Sequence, residues 1–552
     1  MMAALTAGYV PYSDATAEIT EGREYWGKES NISIFRDDIN DAGKETRIVA
    51  HDIEDKIKID IIPNKEIEKK LDFNVTLEGM KGNDLTFGAY EEKYGSLNVL
   101  LSRGQIDTIN AENTNNITIS SSAIVNEIKD KEQNKSGAII NYGTVQGIDV
   151  GRTIVNHGIM EYGRGVRIIN EADGLIEMTY EELNSDHLIN RGRIHTNLDQ
   201  ILLMDDQEIT NEGEITTKGD TAIFISVHDD GKTAKLTNTG TIEQTNNVRV
   251  RTFRSTITNE SSEPSVKTEI TNTGRISSND TAILLDNRGK DTGSSMTIRN
   301  NGEISGDILN FRDFNDSNKI DITNGETGRW SASFLPVTVG AFTAGPYYNI
   351  LLNNGIISIT NDDHGQTSEI SAKTFTNKGT IDIRRGALEV HGDYISGAGA
   401  KLITQGELGG DETQLPTLTI HGTVSGETTH VLVDNIGGTG AATTDGILVV
   451  RADTVDGEGF TKEGRIVAGA YDYDLVRVES GDHTEWRLTS ALTPVPPGPE
   501  PGPEPVPPAP VHVVRPEAVT YAENLRQANT LFMTDSEQRR AVGEYTDPVT
   551  GR

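Results

Sequence analysis

The chain of 552 residues contains no cysteine, so it can form neither a disulfide nor a paired-thiolate metal site. That absence fits a protein that must cross an oxidising compartment unfolded without being locked midway. Aromatic residues are scarce, at 5%, and mean hydropathy is negative. A large compact core is therefore excluded, and burial must come from many small, similar layers. Positive charge is also short: 50 Lys and Arg stand against 84 Asp and Glu, a formal net charge of −34. A field of that sign repels phosphate backbones and anionic membrane surfaces, so nucleic acid is excluded as a partner. Lysine thins out along the chain, with only Lys401 and Lys462 beyond residue 382. No apolar run is long enough to span a bilayer as a helix. The first 17 residues, MMAALTAGYVPYSDATA, carry a short apolar run and a small-x-small triplet at 15–17 but no basic start. Segment 1–17 reads either as the remnant of a secretory signal or as an ordinary terminus.

What the sequence does have is a repeat: apolar, x, Asn, x, Gly, x, apolar. It appears as IINYGTV (139–145), IVNHGIM (154–160), LINRGRI (188–194), ITNEGEI (209–215) and LTNTGTI (236–242). It continues as ITNTGRI (270–276), IRNNGEI (298–304), LLNNGIISI (351–359) and FTNKGTIDI (375–383). LLSRGQI (100–106), IINEADGLI (168–176) and ITNGETGRW (322–330) are degenerate copies. The turn residues are Asn141 and Gly143, Asn156 and Gly158, Asn190 and Gly192, Asn211 and Gly213, Asn238 and Gly240. Asn272 and Gly274, Asn300 and Gly302, Asn353 and Gly355, and Asn377 and Gly379 complete the set.

Each copy reads as strand, tight turn, strand, with period-two alternation on either side. Asn and Gly tolerate positive φ, so the turn is expected to use a left-handed backbone there. Glycine-to-glycine gaps range from 15 (143 to 158) to 34 residues (240 to 274). A fixed corner with loops of variable length satisfies that scatter; a solenoid of fixed helix pairs does not. Between the turns lie further short strands such as SSAIV (121–125), GDTAIFI (219–225) and NDTAILL (279–285). The expected fold is all-β: a right-handed parallel β-helix over 100–385, each rung burying a thin strip of Ile, Leu and Val. The asparagines could stack as an internal hydrogen-bonded ladder, or each could only shape its own turn. Turn geometry alone would select the same residue.

From about 386 the texture changes. The landmarks are GDY (392–394), LGGD (408–411), LTIHGTVSG (418–426), TTDGILVV (443–450), AGAYDYDL (468–475) and Trp486 before LTS. This block, 386–490, resembles the autochaperone region that closes the passenger of pertactin-like and AIDA-type autotransporters. The resemblance implies a capping block with an aromatic core, for which Tyr471, Tyr473 and Trp486 are the candidates. The proline-rich run at 491–515 and the helix-like stretch at 516–552, with Tyr521, Leu525, Ala528 and Leu531, resemble the family's linker into its outer-membrane barrel. That resemblance implies a translocator barrel of the same polypeptide as partner, and a place at the surface of a Gram-negative bacterium. Segment 18–99 reads as an N-terminal cap or first rungs.

No chemistry is encoded in a recognisable motif. Gly-Asp-Ser-Gly, Gly-Asp-Ser-Leu and Gly-x-Ser-x-Gly are absent, and without an elbow the scattered Ser, His and Asp make no triad. No phosphate loop occurs. His187 and His195 straddle one repeat turn with no acidic partner at ligand spacing, and read as surface polar residues. Acidic stretches at 205–208, 228–230, 361–364 and 456–459 lack a complete calcium loop and read as solvated charge. No catalytic, cofactor or metal residue is assigned. The functional expectation is a surface adhesin, not an enzyme, contacting a host receptor or identical passengers on other cells. The alternatives are an enzyme or toxin with an unrecognised site, and a structural stalk.

Overall fold

The computed structural model describes residues 17–19, 31–35, 45–49, 57–62, 73–87, 97–112, 114–130, 137–179, 182–197, 200–245, 255–260, 265–286, 293–311, 319–339, 342–361, 367–490 and 516–530. The signal-like start before residue 17, the linker 491–515 and segment 531–552 lie outside these residues. The chain divides into two compact units, 1–360 with 369–373 and 361–368 with 374–552.

In the first unit short strands stack in parallel as the rungs of a β-helix. One rung runs through Glu208–Asn211, Glu214–Thr217 and Ile223–Ile225. The next repeats it as Thr233–Asn238, Thr241–Gln244 and Ser255–Asn259, each strand parallel to its predecessor. Alternation decides which side chains face inward: Glu208–Asn211 is buried at Ile209 and Asn211 only. A register slip of one residue would expose every buried apolar group of a strand, so the repeat fixes its own register.

The result is columns of like residues. Two positions before the Asn, residues Ile139, Ile154, Ile168, Leu188, Ile209 and Leu236 are successive register partners. Two positions after the Gly, Val145, Met160, Ile176, Ile194, Ile215, Ile242, Ile276 and Ile304 form the second column. Each buried side chain contributes about 1.5–3 kcal/mol, and a narrow interior filled this way explains the scarcity of aromatics.

Trp330 interrupts the second column, paired with Ile304 and Ile357. Its bulk gathers the unit's main aromatic cluster, with Phe334 at 4.8 Å and Tyr348 at 5.9 Å between ring centroids. Nearby, Val337–Val339 and Phe342–Gly345 form an antiparallel hairpin. Val337 and Ala344 of that hairpin pack on Leu284 and Leu309.

In the second unit Leu388–Ser396, Leu418–Gly426 and Ile447–Val455 continue the parallel pattern, as do Lys401–Gly406, Thr429–Asn435 and Phe460–Lys462. Parallel growth stops at His483–Thr489, which pairs antiparallel with both Ile447–Val455 and Tyr471–Ser480. The helix Pro516–Thr530 exposes Tyr521 and Leu525. No helix among the described residues is long and apolar enough to cross a membrane.

The expected left-handed turn is not found. None of the Asn of the repeat turns, and none of the nine glycines of the Asn-x-Gly turns, is among the positive-φ residues. The glycine is required by close approach between rungs. A Cβ on Gly240 would lie 2.0 Å from the carbonyl oxygen of Gly213, and one on Gly274 would lie 2.1 Å from that of Gly240. The corner glycines rest on one another, and any side chain would push the rungs apart.

Candidate functional site

The repeat asparagines meet in the interior. The side-chain amide of Asn141 donates to Oδ1 of Asn156 at 2.8 Å, Asn156 to Asn170 at 2.8 Å, and Asn170 to Asn190 at 2.8 Å. The chain continues through Asn211, Asn238, Asn272, Asn300, Asn324 and Asn353 at 2.7–2.8 Å. Each amide also donates to a corner carbonyl of the following rung, as Asn211 does to Thr241 at 3.0 Å. Every link points toward higher residue numbers, so the dipoles align and strengthen one another. These ten asparagines are at most 1% exposed. The ladder is what the turn-only alternative lacked.

Asn170 and Asn324 come from the degenerate copies IINEADGLI and ITNGETGRW. There Gly174 and Gly328 stand four residues after the Asn instead of two, yet occupy the same corner. In the second unit the amide of Asn377 donates to the Tyr394 hydroxyl at 3.0 Å. Burial pushes that hydroxyl up to about 12, partly opposed by its bonds to Thr429 and Asn377.

Of the aromatics proposed for the second unit, Trp486 and Tyr473 are buried and Tyr471 is half-buried. Trp486 stands edge-on to Phe460 at 4.9 Å, with the Arg477 guanidinium over its ring. Tyr473 donates to the carbonyl of Gly409 at 2.7 Å. Phe460 stacks on Tyr394 at 6.0 Å, and Tyr394 meets Phe375 at 5.6 Å. The row Phe375, Tyr394, Phe460, Trp486 was invisible as a unit in the sequence because its members lie on separate strands.

The two histidines do acquire acidic partners, which corrects the sequence expectation. His195 Nδ1 lies 3.1 Å from Glu177 and His187 Nδ1 lies 3.7 Å from Glu208. In each case the two residues are register partners on adjacent rungs, a relation sequence spacing does not display. Both imidazoles remain on the surface. The acidic stretch at 205–208 is likewise committed to neighbours, and residues 362–364 of the stretch at 361–364 lie outside the described residues. Asp205 accepts the backbone N–H groups of His228 and Asp229 at 2.8 and 3.0 Å, and Asp206 pairs with Lys232 at 2.5 Å.

The outward face of the early rungs holds a cleft of about 410 Å³. It is lined by Asp107, Thr108, Asn126, Glu127, Gln146, Glu161, Tyr162 and Thr179. Four strands build it in register: Leu97–Asn110, Asn116–Lys129, Thr144–Asp149 and Ile159–Asn170. Glu127, Gly147 and Tyr162 form one column. Gly147 is necessary there, since a Cβ would fall 1.9 Å from the Tyr162 ring. The ring therefore lies flat across the sheet, and its hydroxyl reaches Glu127 at 3.3 Å. Gln146 donates to Glu161 at 3.2 Å, and Asn126 to Asp107 at 2.9 Å. Beside the cleft runs the column Ile124, Thr144, Ile159, in which both isoleucines are more than two-fifths exposed. Tyr142 stacks on His157 at 4.6 Å along the same edge. Exposed aliphatics next to an aromatic ring, carboxylates and amides make a surface able to grip a ligand with both apolar faces and hydroxyl groups.

Comparison with known proteins locates an Autochaperone Domain Type 1 at residues 358–475. The autotransporter adhesin AIDA-I of Escherichia coli is 34% identical over 161 residues, 28% of this chain and 11% of that protein. The adhesin BmaC autotransporter of Brucella suis biovar 1 is 32% identical over 173 residues, 28% of this chain and 5% of that protein. YuaQ of Escherichia coli K12 is 38% identical over 181 residues, 32% of this chain and 13% of that protein. The chain thus spans only a small part of the length of these relatives.

Proposed function

We propose that this chain, which carries an Autochaperone Domain Type 1 over residues 358–475, is an autotransporter passenger borne at the surface of a Gram-negative bacterium and attaches its cell to other cells through the lateral cleft. The adhesin-type relatives support the class of function. The cleft supports the finer reading. Tyr162, Glu127, Glu161, Asp107, Gln146 and Asn126 serve no core, and they converge beside exposed Ile124 and Ile159.

The ligand chemistry that fits is a polyhydroxylated surface group, such as the saccharide of a host cell. Its ring faces would pack on Tyr162 and the isoleucines, while hydroxyls bond to the carboxylates and amides. Self-association by apposing this face on two copies would set Asp107, Glu127 and Glu161 against their own duplicates in a chain of net charge −34. Heterologous attachment is therefore favoured. Export and anchorage are assigned to a translocator barrel of the same polypeptide.

The test is attachment of beads carrying the full chain to epithelial cells, before and after stripping of surface glycans. Tyr162→Ala and Glu161→Gln should each abolish most binding, and stripping should mimic them. Undiminished binding by both variants would remove the cleft from the function. Clumping of the beads with one another in place of cell binding would favour self-association.

A further inference from the structure

A second cluster lies outside the cleft, in the autochaperone-bearing unit. Glu389 and His391 sit two apart on Leu388–Ser396, so both project outward from the same face. His421, on Leu418–Gly426, is the register partner of His391, and the two imidazoles stack 4.7 Å apart at 12°. Nε2 of His391 lies 3.8 Å from Glu389 Oε2, and Nε2 of His421 lies 3.7 Å from the same oxygen. On the other side, Nδ1 of His421 is 3.9 Å from Asp453 Oδ1, on Ile447–Val455.

These separations are too long for direct hydrogen bonds. They suit the edges of a metal polyhedron better: ligand atoms each about 2.0–2.2 Å from a tetrahedral Zn²⁺ lie about 3.3 Å apart. All three candidate ligand atoms lie within 4.8 Å of one another. The side chains are half-buried or exposed, so small χ rotations close the remaining gap without moving the strands. Asp453 stands where the carboxylate partner of a metal-bound imidazole belongs, positioned to take the Nδ1–H of His421 and hold Nε2 toward the ion. Arg451, two residues from Asp453 on the same strand, is engaged by Glu485 at 2.6 and 3.0 Å.

We propose that Glu389, His391 and His421 form a site for a borderline divalent cation of the Zn²⁺ class, oriented by Asp453. Imidazole nitrogens with one carboxylate select Zn²⁺, Ni²⁺ or Cu²⁺ over Ca²⁺ and Mg²⁺, which prefer all-oxygen shells. The ion would clip neighbouring parallel rungs together. Bound only when the rungs are in register, it would stabilise the folded unit by linkage.

The experiment is calorimetric titration of the full chain with ZnCl₂, alongside thermal unfolding with and without the metal. One Zn²⁺ per chain is expected, with a rise in Tm of the second unit, and no comparable response to CaCl₂. His391→Ala and His421→Ala should each weaken binding at least tenfold and cancel the Tm rise while leaving the metal-free Tm unchanged. Asp453→Asn should weaken binding less, through orientation. His187→Ala with His195→Ala should change nothing. Absence of binding at millimolar Zn²⁺, or binding indifferent to the His391 and His421 changes, would overturn the proposal.

Discussion

Replacing Asn238 tests what the ladder contributes. Its Oδ1 accepts from Asn211 at 2.7 Å, and its amide donates to Asn272 at 2.7 Å and to the carbonyl of Arg275 at 3.0 Å. Asn238→Ala deletes these bonds, at about 1 kcal/mol net each, and strands the buried Oδ1 of Asn272, at about 1–3 kcal/mol. A loss of about 4–6 kcal/mol follows, felt mainly by the adjacent rungs because each rung contacts only its neighbours. Asn238→Asp is the sharper variant, since it keeps the shape and suits a turn equally well. It replaces the donor amide by an acceptor facing Asn272 Oδ1 in a fully buried site. Its carboxyl would be pushed up by burial, so the destabilisation should be largest at neutral pH and shrink as the pH falls and the acid becomes neutral. Hydrogen exchange across 208–244, with urea unfolding followed by circular dichroism, reads both variants. Thr273→Ala, at an exposed corner position, is the control and should stay within about 0.5 kcal/mol. If Asn238→Asp at pH 7 matched that control, the asparagines would be turn residues only, and the ladder argument would fail.

Gly240→Ala should cost about 1–3 kcal/mol by overpacking, because its Cβ would sit 2.0 Å from the Gly213 carbonyl oxygen, and lowered Tm measures it. Buried Asp307, pushed up to about 7 by desolvation against its bonds from Ser333 and Phe334, binds a proton in the folded state that the unfolded chain has released. The first unit should therefore lose about 4 kcal/mol between pH 4 and 7, and Asp307→Asn should flatten that slope in pH-dependent unfolding. Glu485 runs the other way: burial raises its carboxyl, but bonds from Arg451, Arg487 and His483 outweigh that and hold it at about 2. Its stabilisation of the second unit is complete above the ordinary carboxylate range and should be lost as the pH falls toward 2. Glu485→Gln should remove that acid sensitivity in the same titration.

The sequence by itself determined the local unit and its repetition. Period-two alternation around Asn-x-Gly dictates strand, corner, strand, because one buried face with one residue type per position admits few other arrangements. Scarce aromatics pointed the same way, toward thin aliphatic layers. The reason for the glycine was misread: tolerance of positive φ is a property of one residue, whereas the crowding at Gly240 comes from a carbonyl 27 residues earlier. Everything that depends on which rung lies against which stayed hidden. The Asn ladder, the pairing of His195 with Glu177, the Tyr162 cleft over Gly147 and the stacked His391 and His421 all join residues 14 to 35 positions apart. Loops of unequal length scramble those separations in the sequence. Only the tertiary structure, by closing each rung at a common corner, turns them into columns whose members sit on rungs about 4.7–4.9 Å apart, where side chains can act together.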